Sequence, residues 1–431
     1  MESSGGRRSI SRMERDRQMM LAYLDPVSWF AALQIGGVGF AWAAARARRL
    51  FPAAFRQRPI SAGSVHLVGS LVAVAELIGA PVRPRLVVVI EGPRDWPYVG
   101  PAVGALGDVQ GRDIWVVSRG DLPIESLELL PFPVRAVADL GLVSWITLTT
   151  GLQSDGAITT ITDLDTTAFV KSPFTRYIYL FHSLMSTHVS YLAGAFDAYD
   201  LLLCPSGVHV QELHFRDKRL GRPERRAIEV GYPVLQSLSA RFQKSPPSRH
   251  VVIAPSWSSD HLFQSTWTSA ADALLAAGWQ VSIRPHPETL KRSPGVIAAL
   301  VSRYAACAAV RIDLSAEQGG ALDNLDALVT DWSGTGTEVA LAGRPVVFVD
   351  TPQKIRNPDW LVDGTQSIEA TARAVLVVIV DPARVGTIPE ILKNWQQPEA
   401  AVSLREQIVS TIPNPASVAA GEISRFIGWT S

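Results

Sequence analysis

The stretch TDWSGTGTE, residues 330–338, sets small and hydroxylated side chains between the apolar run 327–329 (ALV) and the helix-forming 339–342 (VALA). A glycine-rich turn that enters a helix lets backbone N–H groups approach a ligand, and the helix dipole adds to their attraction for an anion. Ser333, Gly334 and Thr335 are therefore candidate phosphate-binding residues, with Asp331 beside them and Glu338 one turn further on. Thr335 and Glu338 also have the spacing of a capping box, which reads the same two residues as helix-end chemistry. The helix should stop at Gly343-Arg344-Pro345, a C-cap glycine with a proline behind it.

Three other stretches carry comparable chemistry. RPHPE, residues 284–288, follows the apolar QVSI, and its two prolines hold His286 in an extended loop. Arg284 can fork onto phosphate oxygens, and His286 can donate to one or exchange a proton near neutral pH. LFHSLMSTH, residues 180–188, places His182 at the end of YIYL, where a general base facing a crevice would stand. His188, one and a half helical turns on, reads as a surface or capping residue. GYP (231–233) and APSW (254–257) flank a polar linker, and the second is a turn able to meet a nucleotide base. In HVQELH, His209 and His214 bracket Glu212 at a spacing of neither zincin pattern, so a helical surface explains them and no metal is expected. No GxxxxGK[ST], no GxSxG and no GxGxxG in a strand-to-helix context occurs.

These motifs need elements that bring them to one place. Short apolar runs at 86–90, 114–117, 177–181, 201–204, 251–254, 280–283, 327–329 and 346–349 read as strands, and 184–196, 207–219, 266–277 and 366–379 have helical spacing. Wholly apolar strands alternating with helices are the pattern of parallel sheets covered on both faces. At 431 residues the chain is too long for one ordinary core. The polar stretch SARFQKSPPSRH, residues 239–250, divides it into a unit at 61–240 and another at 250–431. Two such sheets place a cleft between their carboxyl ends, where ligands of open α/β sheets bind.

Forty basic and forty acidic side chains cancel, which removes the electrostatic footprint of a general nucleic-acid binder. The two cysteines, Cys204 and Cys307, are about a hundred residues apart and read as buried apolar residues of a reducing compartment. Residues 1–60 are basic around an uncharged run, 26–45, with five arginines on each side. Its length is that of a membrane span, whereas its alanines, glycines and Gln34 weaken it; a span, an interfacial helix and a buried apolar helix all fit. The arginines that follow would keep the next unit on the cytoplasmic side, at the inner face of the membrane.

In their order and spacing, a histidine after a strand, GYP, APSW, a His-Pro loop and TDWSGTGTEVALAGRPVVFVD, the motifs of residues 175–350 resemble the CDP-glycerol glycerophosphotransferase family of teichoic-acid primases and polymerases. The resemblance implies a GT-B architecture of two Rossmann-like domains, the first for the acceptor and the second for the nucleotide. It implies transfer of a polyol phosphate from a CDP-activated donor to a lipid-linked or glycan hydroxyl, without a cofactor. On this pattern the two functional histidines fall on His182 and His286, with Arg284, Asp331, Ser333, Gly334, Thr335 and Glu338 holding the donor. The chain departs from the pattern at Ser183, where a glycine is usual, at Leu184 and Met185, where a lysine follows, and at Gly334 and Ser258. These departures leave open another GT-B enzyme acting on a nucleotide sugar, or a non-catalytic envelope-assembly homologue.

Overall fold

A computed structural model describes residues 65–429, except 82, 108, 163, 166–168, 245–247, 257–265, 315–321, 323, 354, 364–365, 376–377, 397–398 and 409–410. The apolar run 26–45, Trp257 and Ser258 lie outside the described residues. Among the described residues no helix is long and apolar enough to cross a membrane.

The first sheet contains β1 (Val65–Leu67), β2 (Arg85–Ile90), β3 (Asp113–Ser118), β4 (Val134–Val137), β5 (Gly156–Thr159), β6 (Tyr177–Leu180), β7 (Leu201–Cys204) and β8 (Ala227–Glu229), in the order β1-β4-β3-β2-β5-β6-β7-β8. The second contains β9 (His250–Ile253), β10 (Gln280–Ile283), β11 (Val310–Ile312), β12 (Ala327–Thr330), β13 (Val346–Val349) and β14 (Val378–Val380), ordered β11-β10-β9-β12-β13-β14. Every ladder is parallel. Helices cover both faces, so strands such as β2 and β13 are buried along their whole length and can be apolar at every position. Each fully buried Leu, Val or Ile contributes about 1.5–3 kcal/mol, which these strands need because parallel ladders have no local hairpins to hold them. This is the GT-B-like, two-sheet α/β architecture expected from the alternation of strands and helices.

The last helix, Pro415–Ile427, leaves the second sheet and returns to the first. The Trp429 indole donates to Asp155 at 3.0 Å, Arg112 lies over the Trp429 ring at 4.8 Å, and Arg176 and Arg226 lie over Phe426. Helical spacing is realised at Gly207–Arg219, Thr266–Ala276 and Ile368–Val375, but 184–196 is a series of turns. Its polar groups are captured by partners far away in sequence: Ser186 N–H and Ser190 Oγ donate to Glu369, Ser186 Oγ accepts from Ile368 N, and Thr187 donates through N and Oγ1 to Glu212. Ser and Thr that find such partners favour turns over helix.

The same capture corrects the surface reading of the neighbouring histidines. His188 is buried with Nδ1 at 3.3 Å from Glu212, and its carbonyl accepts from Asn357. His209 and Glu212 are also buried, with His209 Nδ1 at 2.9 Å from Ser206 Oγ. Only His214 of that group remains partly exposed. Cys204 is buried on β7, Cys307 is half-buried, and both are free thiols.

Candidate functional site

The order in which the chain lays down its strands reverses within each sheet. From β2 the chain steps outward through β3 and β4, and from β5 it steps the other way through β6, β7 and β8. In the second sheet the corresponding pair is β9 and β12. At such a reversal the connections leave in opposite directions and open a crevice beyond the strand ends. Both crevices contribute to one cavity of about 480 Å³.

The second sheet supplies one wall. Ala254 and Pro255 follow β9, Arg284, Pro285 and His286 follow β10, and Ser333 and Thr335 follow β12. Arg284 N–H donates to the Ile253 carbonyl at 2.8 Å, and the His286 carbonyl accepts from Thr289, starting the short helix Pro287–Arg292. Four of the expected binding and catalytic residues, Arg284, His286, Ser333 and Thr335, thus line the cavity together with His182.

Asp331, Gly334 and Glu338 do not line it, and each is placed for a different reason. Asp331 is buried and accepts from Ser256 N at 2.7 Å and Ser256 Oγ at 3.0 Å, so it ties the APS turn to the end of β12. Burial raises its pKa against those hydrogen bonds. Its neighbour Trp332 donates to the Thr351 carbonyl at 2.6 Å under the Arg373 guanidinium. Gly334 meets the other half of the molecule: a Cβ there would lie 2.2 Å from Ser183 Oγ and 3.2 Å from Met185 Cγ. A serine hydroxyl can rotate away, but the methionine stem cannot follow a branched side chain. Gly334→Val is expected to cost about 1–3 kcal/mol in urea unfolding, and Gly334→Ala to recover most of it once Ser183 is also alanine.

The capping-box reading of Thr335 and Glu338 is corrected. The helix Gly334–Leu341 begins one residue past Ser333, and no side chain caps it. Thr335 is inside the first turn and lines the cavity, so its N–H lacks an intrahelical partner and is available to an anion. Glu338 is buried and accepts from Tyr232 Oη, the tyrosine of the GYP turn, at 2.6 Å. Burial pushes its carboxyl up to about 7, with the Tyr232 hydrogen bond and the Arg284 charge opposing. A carboxylate enclosed in this way is not presented to a ribose. GYP therefore joins the halves: Gly231 takes φ +83°, and Tyr232 reaches the helix of the second.

The first sheet supplies the opposite wall. His182 follows β6, with Nδ1 3.0 Å from the Tyr179 hydroxyl and its ring edge-on to Tyr98 at 5.9 Å. Burial, with the Arg94 charge adding to it, lowers its pKa to about 4. The ring is neutral at physiological pH and a weak proton acceptor, unlike the base expected at that strand end.

Sequence reasoning missed the rest of this wall. Glu91, Arg94, Asp95 and Tyr98 follow β2, and Thr160, Ile161 and Thr162 follow β5. Asp95 Oδ2 accepts the Glu91 N–H at 2.7 Å, and Arg94 bridges to Glu91 at 2.9 Å. The available signal was EGPRDWPY directly after LVVVI, a charged glycine-proline turn at a strand end. GAIT at β5 gave none, because a glycine and a threonine interrupt its apolar pattern. Among the described residues no group of three His, Cys, Asp or Glu is placed to hold a metal ion.

No family model matches the sequence, and no curated protein matches it. Solved structures do match in fold. The wall teichoic acid polymerase TagF aligns with a TM-score of 0.52 at 13% identity, over 83% of this chain and 91% of that one. A histidine variant of TagF soaked with CDPG aligns with a TM-score of 0.50 at 14% identity, over 79% and 88%. The MnaA–UDP co-structure from S. aureus aligns with a TM-score of 0.52 at 11% identity, over 80% and 98%. The resemblance read from the motifs thus holds for the architecture: the chain has the two-sheet fold of TagF and of MnaA.

Proposed function

We propose that the protein transfers a polyol phosphate, such as glycerol phosphate, from a CDP-activated donor to a hydroxyl acceptor in the synthesis of a cell-envelope polymer, at the inner face of the membrane. The observation that carries this reading is a single cavity with two unlike walls. One presents Arg284, His286 and the N–H groups of a helix start; the other presents a neutral histidine and hydroxyl and carboxylate side chains. A diphosphate fits the first, by charge and by backbone donors. An acceptor hydroxyl fits the second.

In this reaction the acceptor oxygen attacks the phosphorus that bears the polyol, and the bond from that phosphorus to the CMP oxygen breaks. Charge grows on the phosphoryl oxygens and on the departing CMP. Arg284, His286 and the N–H of Thr335 would compensate it, and such preorganised donors are commonly the largest contribution to phosphoryl transfer. His182 orients the acceptor as a neutral imidazole.

CDP as the nucleotide is supported by the order of the motifs and by the TagF fold; the departures at Leu184 and Met185, and the equally similar MnaA–UDP structure, favour a second reading in which the donor is a nucleotide sugar. CDP-glycerol, CDP-ribitol, UDP-sugars and GDP-sugars, compared by thermal shift and nucleotide release, test both. A ligand at a hundred times its dissociation constant adds about 2.7 kcal/mol of stability. The CDP-polyols are expected to raise the melting temperature and to release CMP when acceptor is present. A UDP- or GDP-sugar doing so instead replaces the donor, and no shift with any nucleotide means a non-catalytic homologue.

A further inference from the structure

The two walls of the cavity differ in charge. The second-sheet wall carries the Arg284 cation, His286 and a helix N-terminus. The first-sheet wall carries Glu91 and Asp95 against Arg94, so two carboxylates face one guanidinium and one negative charge remains. Arg94 is itself spent inside this group, with Nη2 at 2.9 Å from Glu91 and Nε at 4.0 Å from Asp95. It is therefore poorly placed to receive a second phosphate.

We infer that the first-sheet wall holds a neutral polyhydroxyl acceptor, a sugar or a polyol, and excludes an acceptor whose end carries a phosphate, with Asp95 taking the proton of the attacking hydroxyl. Carboxylates accept from the hydroxyls of such a group, Thr160 and Thr162 offer further hydroxyls, and the Tyr98 ring offers a flat apolar face. An acceptor with a terminal phosphate would bring a like charge to Glu91 and Asp95 while the donor diphosphate fills the opposite wall, and like charges brought together across a binding site are a strong source of discrimination.

Asp95 stands at the end of the 3-10 turn Pro93–Asp95, whose preceding Gly92 is fully extended. The turn brings the carboxyl back to the end of β2, where Oδ2 takes the Glu91 N–H and Oδ1 lies 4.0 Å from Arg94 Nε, and the residue lines the cavity. Burial raises Asp95 while Arg94 and backbone donors resist, making it a stronger proton acceptor than an exposed aspartate; His182 is shifted the opposite way. During transfer the hydroxyl O–H bond breaks as its proton passes to Asp95, and the acceptor oxygen–phosphorus bond forms. The bond from phosphorus to CMP breaks, CMP carries away the electron pair, and Asp95 returns its proton to water.

This rests on the donor reading above, so the test separates the two. CMP release from CDP-glycerol by the full chain would be measured with three acceptors: an alkyl disaccharide, a monoalkyl glycerol ether, and the same disaccharide ended in glycerol phosphate. The first or the second, which tells sugar from polyol, should accelerate release at least about tenfold more than the phosphate-ended form, and Glu91→Gln should narrow that ratio severalfold. Asp95→Asn should lower kcat by about 10²–10⁴-fold. It should leave donor affinity by calorimetry within about twofold and remove the acid limb of the kcat–pH profile, a change that loss of the Glu91 hydrogen bond alone would not produce. Equal or better use of the phosphate-ended acceptor, or an Asp95→Asn enzyme within about twofold of wild type, overturns the inference. Should CDP-glycerol neither bind nor turn over, the donor reading has failed, and saturation-transfer NMR with the three acceptors alone decides. Transfer to a neutral acceptor, weakened by Asp95→Asn and absent for the phosphate-ended form, upholds the wall's preference; any other pattern overturns it.

Discussion

Arg284→Ala is expected to lower kcat/KM for CMP release by about 10²–10³-fold, the loss typical of removing one preorganised donor from developing charge. The side chain leaves the carboxyl end of β10, where its own N–H is fixed to the Ile253 carbonyl at 2.8 Å, and it lines the wall proposed above for the diphosphate. Its position therefore depends on the sheet, so the charge is aimed before the substrate arrives. Arg284→Lys should recover only part of the loss, because an ammonium keeps the charge without the planar fork. Steady-state kinetics with calorimetry of the donor would divide the effect. A fall confined to KM would mean that the arginine holds ground state and transition state equally. An alanine variant within about threefold of wild type would remove Arg284 from the site.

The second large effect concerns stability. Glu338→Gln is expected to stabilise the protein at pH 8 by up to about 3 kcal/mol. The carboxyl is raised from 4.5 to about 7 by burial, and every tenfold gain in proton affinity on folding corresponds to about 1.36 kcal/mol. Between those two values the folded state binds more protons than the unfolded one, so unfolding free energy falls as pH rises through that window and levels off above about 7. Glutamine occupies the same volume and still accepts from Tyr232, without the cost of a buried charge. Urea unfolding from pH 4.5 to 8 should slope downward for the wild type and lie flatter for Glu338→Gln. A variant less stable than wild type at pH 8 would show that the ionised carboxylate is worth more to the Arg284 side of the site than its desolvation costs.

Which parts were legible follows from the kind of signal each left. Eight apolar runs became strands because a doubly covered parallel strand has no polar face to disguise it. The six others were hidden for reasons that differ. β1, β8, β11 and β14 are three-residue edge strands, too short for a pattern, while β4 and β5 interrupt their apolar residues with Arg135, Gly156 and Thr159. The missing β5 concealed the reversal in the first sheet, and with it the cavity wall of Glu91, Asp95 and Thr160. His182 was legible as a residue at a strand end, but its environment was not. Tyr98, Tyr179 and Tyr191, which enclose the ring and lower its basicity, come from separate elements.

The sequence by itself determined the class of fold and the glycine-rich turn into a helix after β12, because strand hydrophobicity and glycine before a helix are local properties. Tertiary structure alone decided what each polar side chain near that turn does. Glu338 has the spacing of a cap, yet Tyr232, 106 residues away, claims it. Asp331 reads as a turn residue or a ligand, yet Ser256 from the turn after the neighbouring strand donates to its oxygens. Gly334 reads as an N–H donor, yet Ser183 and Met185 of the other half require its missing side chain. A buried polar group must find partners wherever the packing provides them, and those partners are fixed by the meeting of two sheets rather than by the order of residues along the chain.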